Sequence, residues 1–151
     1  MRRHIFMIDD SPADLQLARY AFEAAGLAPA QLATATGGDE ALARLLTQPA
    51  DHDPSLILLD LNMPVLSGAQ TLQALRREDR FAMTPVVMLT TSREAGDLER
   101  CSRDGANGYV VKPGSLNGFQ ELARALRAFW LEANEICPPP RPRNASVEGR
   151  G

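Results

Sequence analysis

The chain has 151 residues, a formal net charge of −3 and an apolar fraction of 44%, as expected for one soluble globular domain. The net charge does not favour general binding to nucleic acid, and no apolar run approaches the about 18 residues that a membrane-spanning helix needs. No signal peptide is predicted, and two widely separated cysteines, Cys101 and Cys137, fit a reducing cytoplasm better than a disulfide scaffold.

The first half of the chain alternates between strand and helix signals. The run Ile5–Ile8 is continuously apolar, as in strands that are buried on both faces of a sheet. Ser11-Pro12 is a helix start, with Ser as the N-cap, and this helix is predicted to stop at Gly26. A weaker run over 32–35 predicts an edge strand, and residues 39–46 a second helix.

The second half repeats the alternation. A third helix is predicted after Ser67-Gly68, with Leu72 and Leu75 facing inward, a fourth over 95–103, and a last helix that carries an apolar stripe to Trp130. Three further apolar runs predict strands that are buried on both faces. These runs are Leu56–Leu59, Val86–Leu89 and Tyr109–Val111.

Strand signals that alternate with helix signals predict an α/β protein, with a parallel sheet and helices on both of its faces. Right-handed crossovers leave few ways to order the strands. We predict five strands in the order 2-1-3-4-5, a doubly wound, flavodoxin-like arrangement.

The last predicted helix carries more apolar surface than one core contact needs. Its first large apolar residues suffice to cover the sheet, so Phe129, Trp130 and Ile136 are left over. Aromatic side chains of this kind mark interfaces, and we expect a homodimer that uses these three residues. The alternative is a monomer in which Trp130 folds back onto its own sheet. The residues that cover the sheet are Phe119, Leu122 and Leu126.

The composition changes near residue 135. We expect a domain over 1–135 and a C-terminal extension rich in Pro and Arg over 136–151. The proline run in the extension favours polyproline II. The extension is either disordered or a docking segment.

Polar residues of particular kinds follow four of the predicted strands. The carboxyl ends of parallel strands meet at one edge of a sheet, where ligand sites form. Each residue alone is an ordinary turn residue, but together they predict a site. They are Asp9 and Asp10 after the first strand, Asp60 after the third, Thr90 after the fourth and Lys112, the only lysine of the chain, after the fifth.

Three crowded carboxylates repel one another by roughly 4 kcal/mol per close pair at an effective dielectric near 20, so this site calls for a cation or a proton. Oxygen ligands without His or Cys suit Mg²⁺. A carboxylate can also be the nucleophile that takes a phosphoryl group. Mg²⁺, the Lys112 ammonium and the Thr90 hydroxyl would then neutralise the charge of the phosphoryl oxygens.

These residues, in the motifs Asp9-Asp10, Leu58-Leu59-Asp60-Leu61-Asn62-Met63-Pro64 with Gly68 following, Thr90-Thr91-Ser92 and Lys112-Pro113, resemble the receiver domain of response regulators. The resemblance covers about residues 4–131. It implies that a histidine kinase phosphorylates Asp60. It also implies a signalling switch that catalyses only its own phosphorylation and dephosphorylation, rather than an enzyme that acts on an external substrate.

The resemblance also implies a role for each site residue. Asp10, Asp60 and the main-chain carbonyl of Asn62 would coordinate Mg²⁺ directly, Asp9 would act through water, and Lys112 would contact the phosphoryl group.

Thr90 and Tyr109 would form the switch, and the face made by the fourth helix, the fifth strand and the fifth helix would be read by partners. We also expect a cis peptide bond between Lys112 and Pro113 that aims the lysine over the site. Gly114 departs from the bulky apolar residue that the family often has there.

The segment Phe129-Trp130-Leu131, followed by Cys137-Pro138, is similar to that of stand-alone regulators paired with phytochrome-type kinases, such as bacteriophytochromes. We expect no attached output module, so that the signal would pass by protein–protein contact or by a phosphorelay.

Two other classes of protein share parts of this pattern. A phosphatase of the haloacid dehalogenase type also uses an aspartyl phosphate, but it carries a D-x-D motif on the first strand, where this chain has Asp9-Asp10. A flavodoxin-like nucleotide binder needs a loop after the first strand that is rich in Gly, Ser and Thr, and two carboxylates there would repel a phosphate.

Overall fold

The structure, a computed structural model, describes residues 3–137. Most of the C-terminal extension over 136–151 therefore lies outside the described residues. Five parallel strands form one sheet in this part of the chain: β1 (Ile5–Ile8), β2 (Leu32–Ala35), β3 (Leu56–Leu59), β4 (Val86–Thr90) and β5 (Gly108–Val111). Their order across the sheet is β2-β1-β3-β4-β5, which confirms the predicted doubly wound α/β fold.

Helices connect the strands, as predicted. They are α1 (Pro12–Ala24), α2 (Gly38–Thr47), α3 (Gly68–Arg77), α4 (Ala95–Arg103) and α5 (Leu116–Leu126), and a π-helical segment, Arg127–Ala133, continues α5.

Local signals place the helix ends that shape the functional edge. The Ser11 hydroxyl accepts a hydrogen bond from the backbone N–H of Asp14 at 3.2 Å, which caps α1 as predicted. Gly26 ends the same helix with a φ of 89°, a left-handed conformation that glycine adopts at low cost. Ser67 caps α3 in a reciprocal capping box with Gln70, so this helix begins at a fixed point after β3.

The sheet has a buried core on each face. Successive side chains of a strand point to opposite faces, so Ile5 and Met7 pack with α1 and α5. Phe6 and Ile8 pack with α2, α3 and α4. Both apolar faces of the central strands are therefore covered, as expected from their continuously apolar sequences.

The prediction that β5 is buried on both faces is wrong. All four of its residues are only half-buried, because β5 pairs with β4 alone and forms an edge of the sheet. Tyr109 is therefore partly accessible from solvent.

The end of the last helix also differs from the prediction. The Asn134 N–H donates to the Phe129 carbonyl at 2.7 Å, the five-residue spacing of a π-helix. The inward position after Leu126 consequently falls on Leu131, which is buried, while Phe129 is 53% exposed.

Of the three residues expected in an interface, Trp130 is partly buried against the core that contains α1 and α5. It is therefore not left over as predicted, because it packs against this core. Its ring and that of Phe129 meet edge to face, with centroids 4.8 Å apart. Ile136 lines a cleft beside Pro54 and Met83, at the amino ends of β3 and β4.

Arg3 holds the segment that leads to Ile136. Its guanidinium donates to the carbonyls of Leu131 and Asn134 at 3.2 and 2.7 Å. This segment therefore lies at the amino ends of the strands, opposite to their carboxyl ends.

Candidate functional site

The predicted acidic cluster forms at the carboxyl edge of the sheet. Carboxylate oxygens of Asp9, Asp10 and Asp60 lie within 4.8 Å of one another. Asp9 and Asp60 are buried, whereas Asp10 is exposed. Three residues from the ends of β1 and β3 are thus brought together, as the strand order requires.

The backbone fixes these residues because the sheet hydrogen bonds extend one residue past each strand. The Asp9 N–H donates to the Ala35 carbonyl at 3.1 Å, and the Asp60 N–H to the Ile8 carbonyl at 3.0 Å. On the other side, the Lys112 N–H donates to the Thr90 carbonyl at 2.8 Å. The side chains of the site therefore start from a rigid sheet edge.

The Lys112 ammonium reaches the centre of the cluster. Its Nζ lies 2.6 Å from Asp9 Oδ2, 2.8 Å from Asp14 Oδ2 and 3.5 Å from Asp60 Oδ2. The predicted convergence of the lone lysine on the carboxylates is therefore confirmed as a matter of position.

Asp14 was not among the predicted site residues. It lies in the first turn of α1, where an acidic residue ordinarily complements the helix dipole. Its contact with Lys112 joins residues that are 98 positions apart. The sequence offers one signal for it, since the helix start at Ser11 follows the Asp9-Asp10 pair directly and places the first turn beside the cluster.

The expected cis bond between Lys112 and Pro113 is wrong, because the described residues contain no cis peptide. The lysine needs no such turn. Its flexible four-carbon stem carries the ammonium from the end of β5 to the carboxylates with the bond in the trans form.

Burial and charge shift the ionisation of the cluster. Burial raises the pKa of Asp9, and the neighbouring Lys112 ammonium and the Ser11 N–H only partly offset this. The pKa of Asp60 is also raised, by burial and then by the charge of Asp9. Burial alone would lower the pKa of Lys112, but its hydrogen bonds with Asp14 and Asp9 outweigh burial and raise it.

The residues present fit a hard divalent cation. Asp9 Oδ2 is a buried oxygen that accepts no well-directed hydrogen bond from the described residues, although the Lys112 ammonium lies beside it as an ion pair. The cluster offers carboxylate oxygens only, which is the donor chemistry of Mg²⁺ sites.

The loop after β3 approaches the cluster closely. The backbone N–H of Asn62 lies close enough to the Asp60 carboxylate to offset part of the rise in its pKa, and the Gly68 N–H donates to the Leu61 carbonyl at 2.8 Å. A side chain at position 68 would overlap the backbone of Asp60, so glycine is needed there. Val65, at the tip of this loop, has a φ of 66° and is almost fully exposed.

Thr90 and Tyr109 meet the same loop after β4. Thr90 is buried, and its hydroxyl accepts a hydrogen bond from the Ser92 N–H at 3.4 Å. The Tyr109 hydroxyl donates to the Ser92 carbonyl at 3.0 Å. Burial raises the pKa of Tyr109, so its phenol stays protonated and remains a donor. The two predicted switch residues are therefore linked through Ser92.

The comparisons agree with this fold. The sequence pattern of the response regulator receiver domain matches residues 5–125, and the chain belongs to this family. In the described residues, no helix has the length and apolar composition needed to cross a bilayer.

Two curated relatives match most of the chain. The probable methanogenesis regulatory protein FilR2 of Methanothrix harundinacea is 31% identical over 89% of this chain and 88% of its own length. The response regulator Rcp1 of Synechocystis sp. is 30% identical over 85% of this chain and 88% of its own length.

Solved structures of phytochrome response regulators are also similar. The phosphorylated cyanobacterial regulator RcpA has a TM-score of 0.79 at 28% identity, over 90% of this chain and 99% of its own. The bacteriophytochrome response regulator AtBRR has a TM-score of 0.68 at 38% identity, over 89% and 99%. The Mn²⁺-bound form of Rcp1 has a TM-score of 0.73 at 27% identity, over 89% and 99%.

Proposed function

We propose that the chain is a response regulator that accepts a phosphoryl group on Asp60 from a histidine kinase in the presence of Mg²⁺. The observation that carries the proposal is the position of the Asp60 carboxylate. One of its oxygens lies within 4.8 Å of carboxylate oxygens of Asp9 and Asp10, and its Oδ2 lies 3.5 Å from Lys112 Nζ, so a cation and an ammonium can both approach the nucleophilic carboxylate.

The chemistry follows from the groups around Asp60. A carboxylate oxygen of Asp60 attacks phosphorus, a P–O bond forms, and the P–N bond to the donor histidine breaks. Asp10, Asp60 and the Asn62 carbonyl would hold Mg²⁺, with Asp9 acting through water, and the ion would supply positive charge to the phosphoryl group.

The remaining charge compensation comes from the chain itself. The Lys112 ammonium contacts a phosphoryl oxygen, and the Thr90 hydroxyl donates to another. Both groups are anchored to the ends of neighbouring strands, so their backbone positions are fixed before the phosphoryl group arrives. The chain catalyses only its own phosphorylation and dephosphorylation.

The switch acts through the loop between β4 and α4. A phosphoryl oxygen that accepts from the Thr90 hydroxyl draws this side chain toward the site and away from the Ser92 N–H, which donates to the hydroxyl oxygen. The Ser92 carbonyl is also the acceptor of the Tyr109 hydroxyl. A local change in charge thereby reaches the face formed by α4, β5 and α5. The output is a protein–protein contact on this face or transfer of the phosphoryl group in a relay.

The kinase partner is of the phytochrome type. Two supports are the similarity to RcpA and AtBRR and the Phe129-Trp130-Leu131 segment. We place the chain in the cytoplasm, where the buried Cys101 thiol stays reduced, and we expect a homodimer. Neither nucleic acid nor membrane is a partner in this proposal.

Acetyl phosphate labelling tests the proposal. With Mg²⁺, the wild-type chain and an Asp79→Asn control, which changes an exposed acid far from the cluster, should gain the mass of one phosphoryl group. Asp60→Asn should gain none, and Asp10→Asn should need more Mg²⁺ for the same rate because the metal loses a ligand. Labelling of Asp60→Asn at the wild-type level would refute the assignment.

A further inference from the structure

Asp14 differs from the other carboxylates that contact Lys112. Asp9 and Asp60 belong to the group whose oxygens can share one metal ion, and Asp14 lies outside this group. Asp14 Oδ2 nevertheless lies 2.8 Å from Lys112 Nζ, closer than the 3.5 Å of Asp60. The ammonium therefore has one anionic partner, Asp14, that is not a ligand of the cation.

The position of Asp14 is set by the start of α1. The Ser11 hydroxyl accepts from the Asp14 N–H, and the Ser11 N–H donates to Asp9 Oδ1 at 2.9 Å. The helix start is thus tied to the acidic cluster at one end and directs Asp14 to the lysine at the other. The Lys112 side chain is 8% exposed and that of Asp14 32%, so Asp14 is the more solvent-exposed partner of this ion pair.

A divalent cation changes the forces on the ammonium. The cation neutralises Asp9 and Asp60 and repels the nearby positive charge of Lys112, because both are held in a poorly solvated site. The flexible four-carbon stem of lysine would then let the ammonium swing toward solvent. Asp14 opposes this movement, since its negative charge stays uncompensated by the metal.

We propose that Asp14 is a positioning residue, which holds the Lys112 ammonium at the phosphoryl site once the divalent cation is bound. The inference rests on the proposed phosphorylation of Asp60 and adds a residue to it. Asp14 does not touch the phosphoryl group. It acts through the lysine, whose misplacement slows in-line transfer.

The test uses the full chain and the variant Asp14→Asn, which keeps the side-chain shape and removes the charge. Initial rates of acetyl phosphate labelling are measured at saturating Mg²⁺, with Asp39→Asn as the matched control because Asp39 is also a first-turn acid, in α2. We expect Asp14→Asn to be about tenfold slower or more, and the control to match the wild type.

A spectroscopic measurement separates positioning from a general loss of stability. The chain contains one lysine, so lysine-selective ¹³C labelling gives a single Cε signal in an NMR spectrum. On addition of Mg²⁺, this signal should move to the position of solvent-exposed lysine in Asp14→Asn and should not do so in the wild type or in Asp39→Asn.

The outcomes separate the two proposals. If the wild type takes up no phosphoryl group, the proposed function fails, and the lysine signal still decides the role of Asp14. If the wild type is labelled on Asp60 while Asp14→Asn matches its rate or keeps the lysine signal of the wild type with Mg²⁺, the positioning role is wrong and the function stands.

Discussion

At the level of single residues, Asp9 and Asp60 carry their charges where burial opposes ionisation. The pKa of each is raised, so in the absence of metal the ionised pair destabilises the folded state. A carboxyl group whose folded-state pKa lies above its unfolded value binds more protons in the folded chain. Its contribution to stability therefore becomes less favourable as the pH rises from the unfolded pKa through the folded one.

The raised pKa of Asp60 predicts how the stability of Asp60→Asn depends on pH in the absence of Mg²⁺. At neutral pH the variant should melt at a higher temperature than the wild type, because one ionised carboxylate is gone from the cluster. The difference should shrink as the pH falls toward about 4, where the unfolded carboxyl also becomes protonated. Thermal unfolding monitored by circular dichroism across this range measures it.

Asp79→Asn is the control for that comparison, since Asp79 is exposed and distant from the cluster. Its melting temperature should follow that of the wild type at every pH. A constant difference between Asp60→Asn and the wild type from pH 4 to 8 would contradict the assignment of the raised pKa to Asp60.

The strand-end residues were predictable because topology alone brings them together. Asp9, Asp60 and Lys112 follow continuous apolar runs, and parallel strands share one carboxyl edge. Asp14 was not predictable in the same way, since its role depends on the direction of a side chain from a helix rather than on the end of a strand. The prediction of a cis bond after Lys112 failed for a related reason, because the lysine side chain is long enough to reach the carboxylates from a trans bond.

At the level of elements, the strand bounds were predictable and the environment of one strand was not. The run Tyr109–Val111 resembles the central strands in apolar content, but hydrogen bonding on one side only leaves β5 half-buried. The apolar stripe of the last helix was also extended too far. A regular helix places positions 129 and 130 inward after Leu126, whereas the π segment places Leu131 there.

The exposed side of β5 matters because Tyr109 links this strand to the loop after β4. Removing the phenol oxygen by Tyr109→Phe deletes the hydrogen bond to the Ser92 carbonyl and leaves the ring in place. We expect Asp60 labelling to stay within about twofold of the wild type, since a neutral hydrogen bond contributes only about 1 kcal/mol and this one lies outside the carboxylate cluster.

Tyr109→Phe should increase the mobility of the loop between β4 and α4. The amides of Ser92 and Glu94 should exchange with solvent faster in Tyr109→Phe, and hydrogen exchange with and without acetyl phosphate measures this. Tyr20→Phe is a suitable control, because Tyr20 is an exposed residue of α1. Loss of labelling in Tyr109→Phe would instead place this residue in the chemical site.

At the level of the whole molecule, the carboxyl ends and the amino ends of the strands carry different groups of residues. The carboxyl edge carries the acids and the lysine. The amino edge carries the segment that Arg3 holds, with Ile136 in its cleft. A dimer contact that uses Phe129 and Ile136 together would therefore have to span both the end of the last helix and this amino edge.

Of the three residues expected in the dimer interface, Phe129 is the one that we now expect to lie at its centre. This ring is 53% exposed, lies beside Trp130 and follows α5, an element of the face proposed to meet partners. Large aromatic side chains bury much area at low entropic cost, and a two-fold dimer needs only one self-complementary patch. Leu98 on α4 and Leu116 on α5 are also exposed.

Sedimentation of the full chain at micromolar concentration tests this assembly. The wild type and Leu46→Ala, which removes a comparably exposed side chain from α2, should sediment as dimers. Phe129→Ala should shift to the monomer, because removing an interface aromatic ring typically costs 2 kcal/mol or more, roughly thirtyfold in affinity. A chain that ends at Cys137 should dimerise more weakly if the extension contacts the partner subunit. If wild type, Phe129→Ala and the shortened chain are all monomers, the homodimer is excluded, and the exposed ring must be explained by contact with a different protein.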